Sequence, residues 1–233
     1  MLKNITCIGF DADDTLWHNE IYYLKGESDF ISLLADTVGV HRSILAKTFA
    51  DTENRNMDLL GYGAKAMTIS MIETAIHFNS AIDASVISKI IQIGREVMEM
   101  PVRMLPGAEE TIRILQEKNF RVVIITKGEL NEQTRKFKLS PLDQNLDYLV
   151  LPDKSLSAYR QLFRRERIDP ETFLMIGNSP KSDILPPLEL GCYAAHIPFE
   201  TTWAHEDVPL PDHDRLIKLN KIEDILNYLT DKE

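Results

Sequence analysis

Cysteine is nearly absent: Cys7 and Cys192 are the only two in 233 residues. Both sit inside apolar runs, so they read as packing residues rather than as a disulfide framework. Long hydrophobic runs are missing as well. No apolar stretch approaches the roughly 20 residues that a membrane-spanning helix needs. The "ITCIGF" ahead of the first acids is too short for the apolar region of a signal peptide. Basic residues are in deficit, 26 Lys and Arg against 36 Asp and Glu, which leaves a net charge of −10. That balance argues against a general nucleic-acid binder, whose surface has to attract phosphates. It leaves room for a small anionic substrate held by a few local cations. Internal repeats and low-complexity segments are lacking too. Together these absences predict a cytoplasmic globular protein with no membrane or nucleic-acid partner.

What is present is a repeated pattern of apolar, partly β-branched runs that end abruptly on polar or small residues. The runs are "ITCIGF" before Asp11, "RVVIIT" before Lys127, "DYLVLP" before Asp153, "TFLMIG" before Asn178, and "CYAAHIP". Near-continuous apolar strands are buried on both faces, as in a parallel sheet. Helical patterns lie between them at 107–119, 155–168 and 182–191, and the tail offers "RLIKL" as an edge strand and "IEDILNYLT" as a closing helix. This alternation predicts a doubly wound, Rossmann-like α/β core with right-handed crossovers. From 18 to 100 the alternation stops and only helical periodicity remains, with Asp83 placed to cap the last helix. An all-helical insertion over 18–100 is therefore expected, with the core made of 1–17 and 101–233. Its links lie near Leu16–Asn19 and near "MPVRMLPG".

The stretch "IGFDADDTLW" puts Asp11, Asp13 and Asp14 within four residues at the end of the first strand. Carboxylates this close repel one another and lose hydration when buried. Two readings are open: a strand ending in a solvated acidic turn, or a site that supplies a cation and hydrogen-bond donors. In an open parallel sheet, ligands bind beyond the carboxyl ends of the strands. That rim gathers Asp11 and Asp13 with Thr126, Lys127, Lys154, Asn178, Ser179 and Asp183. Such a set suits a hard divalent cation together with an anion, and magnesium shares its sites with substrate phosphate. Asp14 reads as a turn residue, Trp17 and His18 as packing at a link, and Lys127 as a crevice residue or a solvated one. "GYGAK" at 61–65 lacks P-loop spacing and reads as a helix connection, with Lys65 a weak substrate contact. Trp203 and His205 stand on the long loop after the fifth strand and are candidates for the site entrance.

In this order, "DADDT", the Thr126 strand end, Lys154 and "GNSPKSD" resemble the haloacid dehalogenase-like hydrolase superfamily, over nearly the whole chain. The resemblance implies a helical cap over the α/β core and a magnesium-dependent phosphatase acting on a small phosphorylated metabolite. Asp11 would be the nucleophile that becomes an aspartyl phosphate, and Asp13 the general acid and then base. Thr126 and Lys154 would complete the catalytic set and, with Lys127, bind the substrate phosphoryl group. Magnesium would be held by Asp11, the Asp13 carbonyl, Asn178 and Asp183. Asp14 stands where many members have glycine, and Asn178 where aspartate is frequent. A phosphomutase or a dehalogenase of the same superfamily, and a non-catalytic binding protein on this fold, are the competing readings.

Overall fold

The computed structural model describes residues 2, 4–201, 206 and 208–229, so Trp203 and His205 lie outside the described residues. The chain divides into two units: Met1–Glu20 with Val102–Glu233, and Ile21–Pro101. The first unit is built on six strands, all parallel: β1 (Cys7–Phe10), β2 (Arg121–Lys127), β3 (Asp147–Leu151), β4 (Phe173–Gly177), β5 (Tyr193–His196) and β6 (Leu216–Lys218). Their order across the sheet is β3-β2-β1-β4-β5-β6. The chain runs outward from β1 to one edge, returns to its other side, and runs outward again. β1 is central, with Cys7 in register with Arg121 of β2 on one flank and with Phe173 of β4 on the other.

Alternation of side chains along the strands sorts the core into two layers. Ile8, Phe10, Val122, Ile124, Leu174 and Ile176 pack with Ala108, Ile112 and Leu115 of helix Ala108–Glu117 and with Phe137. Cys7, Val123, Ile125, Phe173 and Met175 face the other way, onto Tyr159, Leu162 and Phe163 of helix Leu156–Glu166. Cys7 and Cys192 are both free and buried.

Two segments depart from the expected helices. Residues 182–191 form a π-helical turn, Pro180–Ile184, followed by the short helix Leu185–Glu189. Pro186 and Pro187 have no N–H to donate, so they are tolerated only in a first turn and shorten the helix. The closing segment is a 3-10 helix, Ile222–Asn227, whose bonds run three residues back, as from Asp224 N to Lys221 O at 3.1 Å. One helix had no counterpart in the sequence reading: Leu130–Leu139, directly after β2.

The second unit consists of α1 (Glu20–Val38, beginning one residue before the boundary), α2 (Arg42–Leu60), α3 (Ala64–Phe78) and α4 (Ala84–Glu99). Its own core gathers Phe30, Leu34, Leu45, Phe49, Met67, Met71 and Ile90. Asp83 caps α4 by accepting from Ser85 N at 2.7 Å. Lys65 is exposed on α3. The links to this unit are paired within the first one: His18 N donates to Arg103 O at 3.0 Å and Leu105 N to Leu16 O at 2.8 Å. No described helix is long and apolar enough to cross a membrane.

Candidate active site

Asp11 follows β1 directly, and its backbone N–H still donates to Ile176 O of β4 at 2.8 Å. The residue is buried. Lys154, just past β3, donates to Asp11 Oδ1 and to Asp183 Oδ1, the latter at 2.7 Å. Its ammonium is almost fully enclosed. Asp183 reaches this point from the π turn, and its other oxygen accepts from Ser179 N at 3.0 Å. One ammonium therefore serves two buried carboxylates. Burial, then the charge of Asp183, push the Asp11 carboxyl up to about 7, against the pull of Lys154. For Lys154, burial works against the charged form, yet Asp11 and Asp183 outweigh it and raise its pKa.

Thr15 ties this centre to the loop after β4. Its hydroxyl proton is shared between Asp11 Oδ2 at 2.9 Å and Asn178 Oδ1 at 3.2 Å, while its oxygen accepts from Asn178 N at 3.1 Å. His196 Nε2 donates to the Asn178 carbonyl at 3.0 Å. Thr126 is buried at the end of β2. Asp11, Lys154, Asn178 and Asp183 are thus one connected cluster.

Two predicted site residues point elsewhere. The Asp13 carboxylate accepts from Trp17 Nε1 at 2.7 Å, from Gln133 Nε2 at 2.8 Å, and from Lys136 Nζ at 2.9 and 3.1 Å. Lys127 donates to Ser182 Oγ at 3.1 Å and pairs with Glu206, which also accepts from the hydroxyls of Ser179 and Ser182. Burial works to raise the Glu206 pKa, but Lys127 and the two hydroxyls outweigh it and lower it. Asp14 is a turn residue with φ 59°, a conformation asparagine and aspartate tolerate. Its carboxylate accepts from Asn19 N at 2.8 Å and from Glu20 N at 3.0 Å, at the start of α1. Trp17, Gln133, Lys136, Thr15 and Glu206 are the polar contacts that sequence reasoning did not assign. Thr15 had a visible signal as the last residue of "DADDT".

Hard oxygen donors converge at Asp11 and Asn178, and the two carboxylates with a single lysine leave negative charge for a further cation. Among the described residues no group of three or more His, Cys, Asp or Glu is placed to hold a metal ion by itself, so any cation here would also draw on Asn178 or backbone oxygens.

Close approach of backbone to carboxylate also matters here. A Cβ on Gly177 would lie 2.3 Å from Asp183 Oδ2, and that oxygen is pinned by Ser179 N. Gly177→Ala is expected to push Asp183 off Lys154, lowering stability by about 1–3 kcal/mol and turnover with it. Urea unfolding and a rate measurement on the same preparation check this. A variant with native stability and rate would show that the loop absorbs the methyl group.

An ion-paired carboxylate centre lies at the rim of a parallel α/β sheet, where proteins of that architecture bind their ligands. A profile described as "haloacid dehalogenase-like hydrolase" matches residues 5–191, and the chain belongs to this family. A haloacid dehalogenase-like family hydrolase from Xanthomonas campestris is 34% identical, with 94% of this chain and 87% of that one covered and a TM-score of 0.81. A predicted phosphoglycolate phosphatase from Haemophilus somnus is 16% identical, over 98% of this chain and 99% of that one, with a TM-score of 0.62. A 2-haloacid dehalogenase from Pseudomonas syringae pv. Tomato is 17% identical, over 96% and 97%, also with a TM-score of 0.62. No curated protein matches the sequence.

Proposed function

We propose that the protein is a magnesium-dependent phosphatase that hydrolyses a small phosphorylated metabolite through an aspartyl phosphate on Asp11. The observation that carries this reading is the division of labour between two acids of one strand end. Asp11 sits against Lys154, while Asp13 is held apart by nitrogen donors. A phosphate ester needs both a nucleophile and a proton for its leaving alkoxide, whereas a leaving halide needs no proton. An acid beside the nucleophile therefore favours phosphate-ester hydrolysis over dehalogenation.

In the first half-reaction an Asp11 oxygen attacks phosphorus, the bond to the substrate oxygen breaks, and Asp13 gives that oxygen its proton. In the second, Asp13 takes a proton from water, the water oxygen bonds to phosphorus, and the bond to Asp11 breaks. Lys154 and the Thr126 hydroxyl stabilise charge on the phosphoryl oxygens. Asp11, the Asp13 carbonyl and Asn178 would hold magnesium, with Asp183 at its border; once bound, the ion neutralises phosphoryl charge. The helical unit is assigned the role of a cap that selects the substrate and excludes water. The reading supports a cytoplasmic setting and a small-molecule partner.

The test uses an aryl phosphate with magnesium and with chelator, and 2-chloropropionate under the same conditions. Phosphate release that stops on chelation is the expected result. Chloride release without metal, and no phosphate release, would replace this reading with dehalogenation.

A further inference from the structure

Helix Leu130–Leu139 is fastened to the sheet and to the Asp13 carboxylate at once. Tyr148 of β3 stacks on Phe137 with ring centroids 4.3 Å apart and planes within 7°. The Tyr148 hydroxyl donates to the Gln133 carbonyl at 2.9 Å, within 3.4 Å of Gln133 Oε1. The opposite end of the same amide, Nε2, donates to Asp13 Oδ2 at 2.8 Å. One turn further along, Lys136 Nζ meets oxygens of three residues. Asp13 contributes both oxygens, Asn19 Oδ1 lies at 2.7 Å, and Glu132 Oε1 at 3.3 Å. The lysine side chain is mostly enclosed. A buried ammonium with four acceptor oxygens on three residues has little rotational freedom left, and neither has the carboxylate it holds.

We propose that Lys136, assisted by Gln133, is the positioning residue for Asp13, fixing its carboxyl group in the orientation from which it transfers the proton. The assignment rests on the phosphatase reading above, in which Asp13 is the acid and base. It reaches beyond that reading by giving a function to a helix remote in sequence from the acid it serves. Trp17 Nε1 adds a third donor group, at 2.7 Å from Asp13 Oδ1. Preorganisation of this kind is lost when the supporting shell is removed, even though the acid itself remains.

Two aryl phosphates separate this role from a structural one. Phenyl phosphate expels a basic phenoxide that needs a proton, whereas 2,4-dinitrophenyl phosphate expels a phenoxide that needs almost none. Lys136→Met is expected to lower kcat/KM on phenyl phosphate by about 10²-fold, the lower end of what a positioned proton donor contributes; kcat/KM ends at departure of the leaving group and so excludes the dephosphorylation common to both esters. Its kcat/KM on the dinitrophenyl ester and its magnesium requirement should stay close to native. Lys136→Arg, which still donates to a carboxylate, should recover part of the loss. Asp13→Asn is run beside it. If Asp13→Asn shows no leaving-group selectivity, the acid–base reading itself falls. If Asp13→Asn is selective and Lys136→Met reduces both substrates equally or neither, the positioning role is overturned. Should Lys136→Met lose its cooperative unfolding transition, Gln133→Leu decides instead. A smaller but still selective loss supports the proposal, and an unselective one ends it.

Discussion

Asp11→Asn is expected to lose catalysis by at least about 10⁴-fold in kcat while keeping the fold, because removing a nucleophile removes the covalent route altogether. The fold should survive because the amide is nearly isosteric and keeps an oxygen to accept from Lys154 or Thr15. A buried carboxylate is also removed from a centre where two of them share one ammonium, so stability is expected to hold or rise slightly. Hydroxylamine, which attacks the acyl carbon of an aspartyl phosphate and expels phosphate, should leave a hydroxamate on Asp11 of the native enzyme during turnover and nothing at that position in the variant. Near-native turnover by purified Asp11→Asn would remove this residue from the reaction.

Lys154→Met is expected to cost both activity and stability, and its effect on stability should be the largest of any substitution at the site. The ammonium is 1% exposed, facing Asp11 at 10% and Asp183 at 1%. Methionine fills a similar volume but leaves two enclosed carboxylates facing each other without a cation. Deleting one partner of a buried ion pair typically destabilises by about 3–5 kcal/mol, less whatever is recovered when Asp11, already pushed up to about 7, takes up a proton beside Asp183. Urea unfolding should show a correspondingly lower midpoint with an unchanged slope. On the proposed magnesium site, added magnesium should restore part of the loss by supplying positive charge at Asp11. A midpoint equal to the native one would mean that the carboxylates are far better solvated than their burial indicates.

The strand ends were legible in the sequence because a parallel sheet buried on both faces leaves an unmistakable trace, an apolar run cut off by a polar residue. Asp11, Thr126, Lys154 and Asn178 all stand where such runs stop. The helix carrying Gln133 and Lys136 left no comparable trace. Leu130, Phe137 and Leu139 are its only apolar residues, and two of them, Leu130 and Leu139, are exposed. Its inward face presents Glu132, Gln133 and Lys136 to other polar groups, so the usual apolar stripe is replaced by hydrogen bonds. Partner choice was equally hidden. Nothing local in the sequence says that Lys127 turns to Glu206, or that Thr15 divides its proton between Asp11 and Asn178. The departures at Pro180–Ile184 and Ile222–Asn227 concern how a turn is wound, which periodicity over so few residues does not encode.

The central place of β1 has a consequence for how the chain is made. Its two neighbours in the sheet, β2 and β4, begin at Arg121 and Phe173, more than a hundred residues later in synthesis. The helical unit, by contrast, is continuous in sequence from Ile21 to Pro101 and draws its core from that span alone. On the ribosome the second unit can therefore close while the strand that carries Asp11 is still without a partner. An apolar strand waiting that long, with both edges open, is a target for chaperones and for pairing with other chains. Nascent chains arrested shortly before residue 173 should hold a protease-resistant helical unit beside a cleavable N-terminal strand. Resistance should spread to the N-terminus only after β4 has left the exit tunnel.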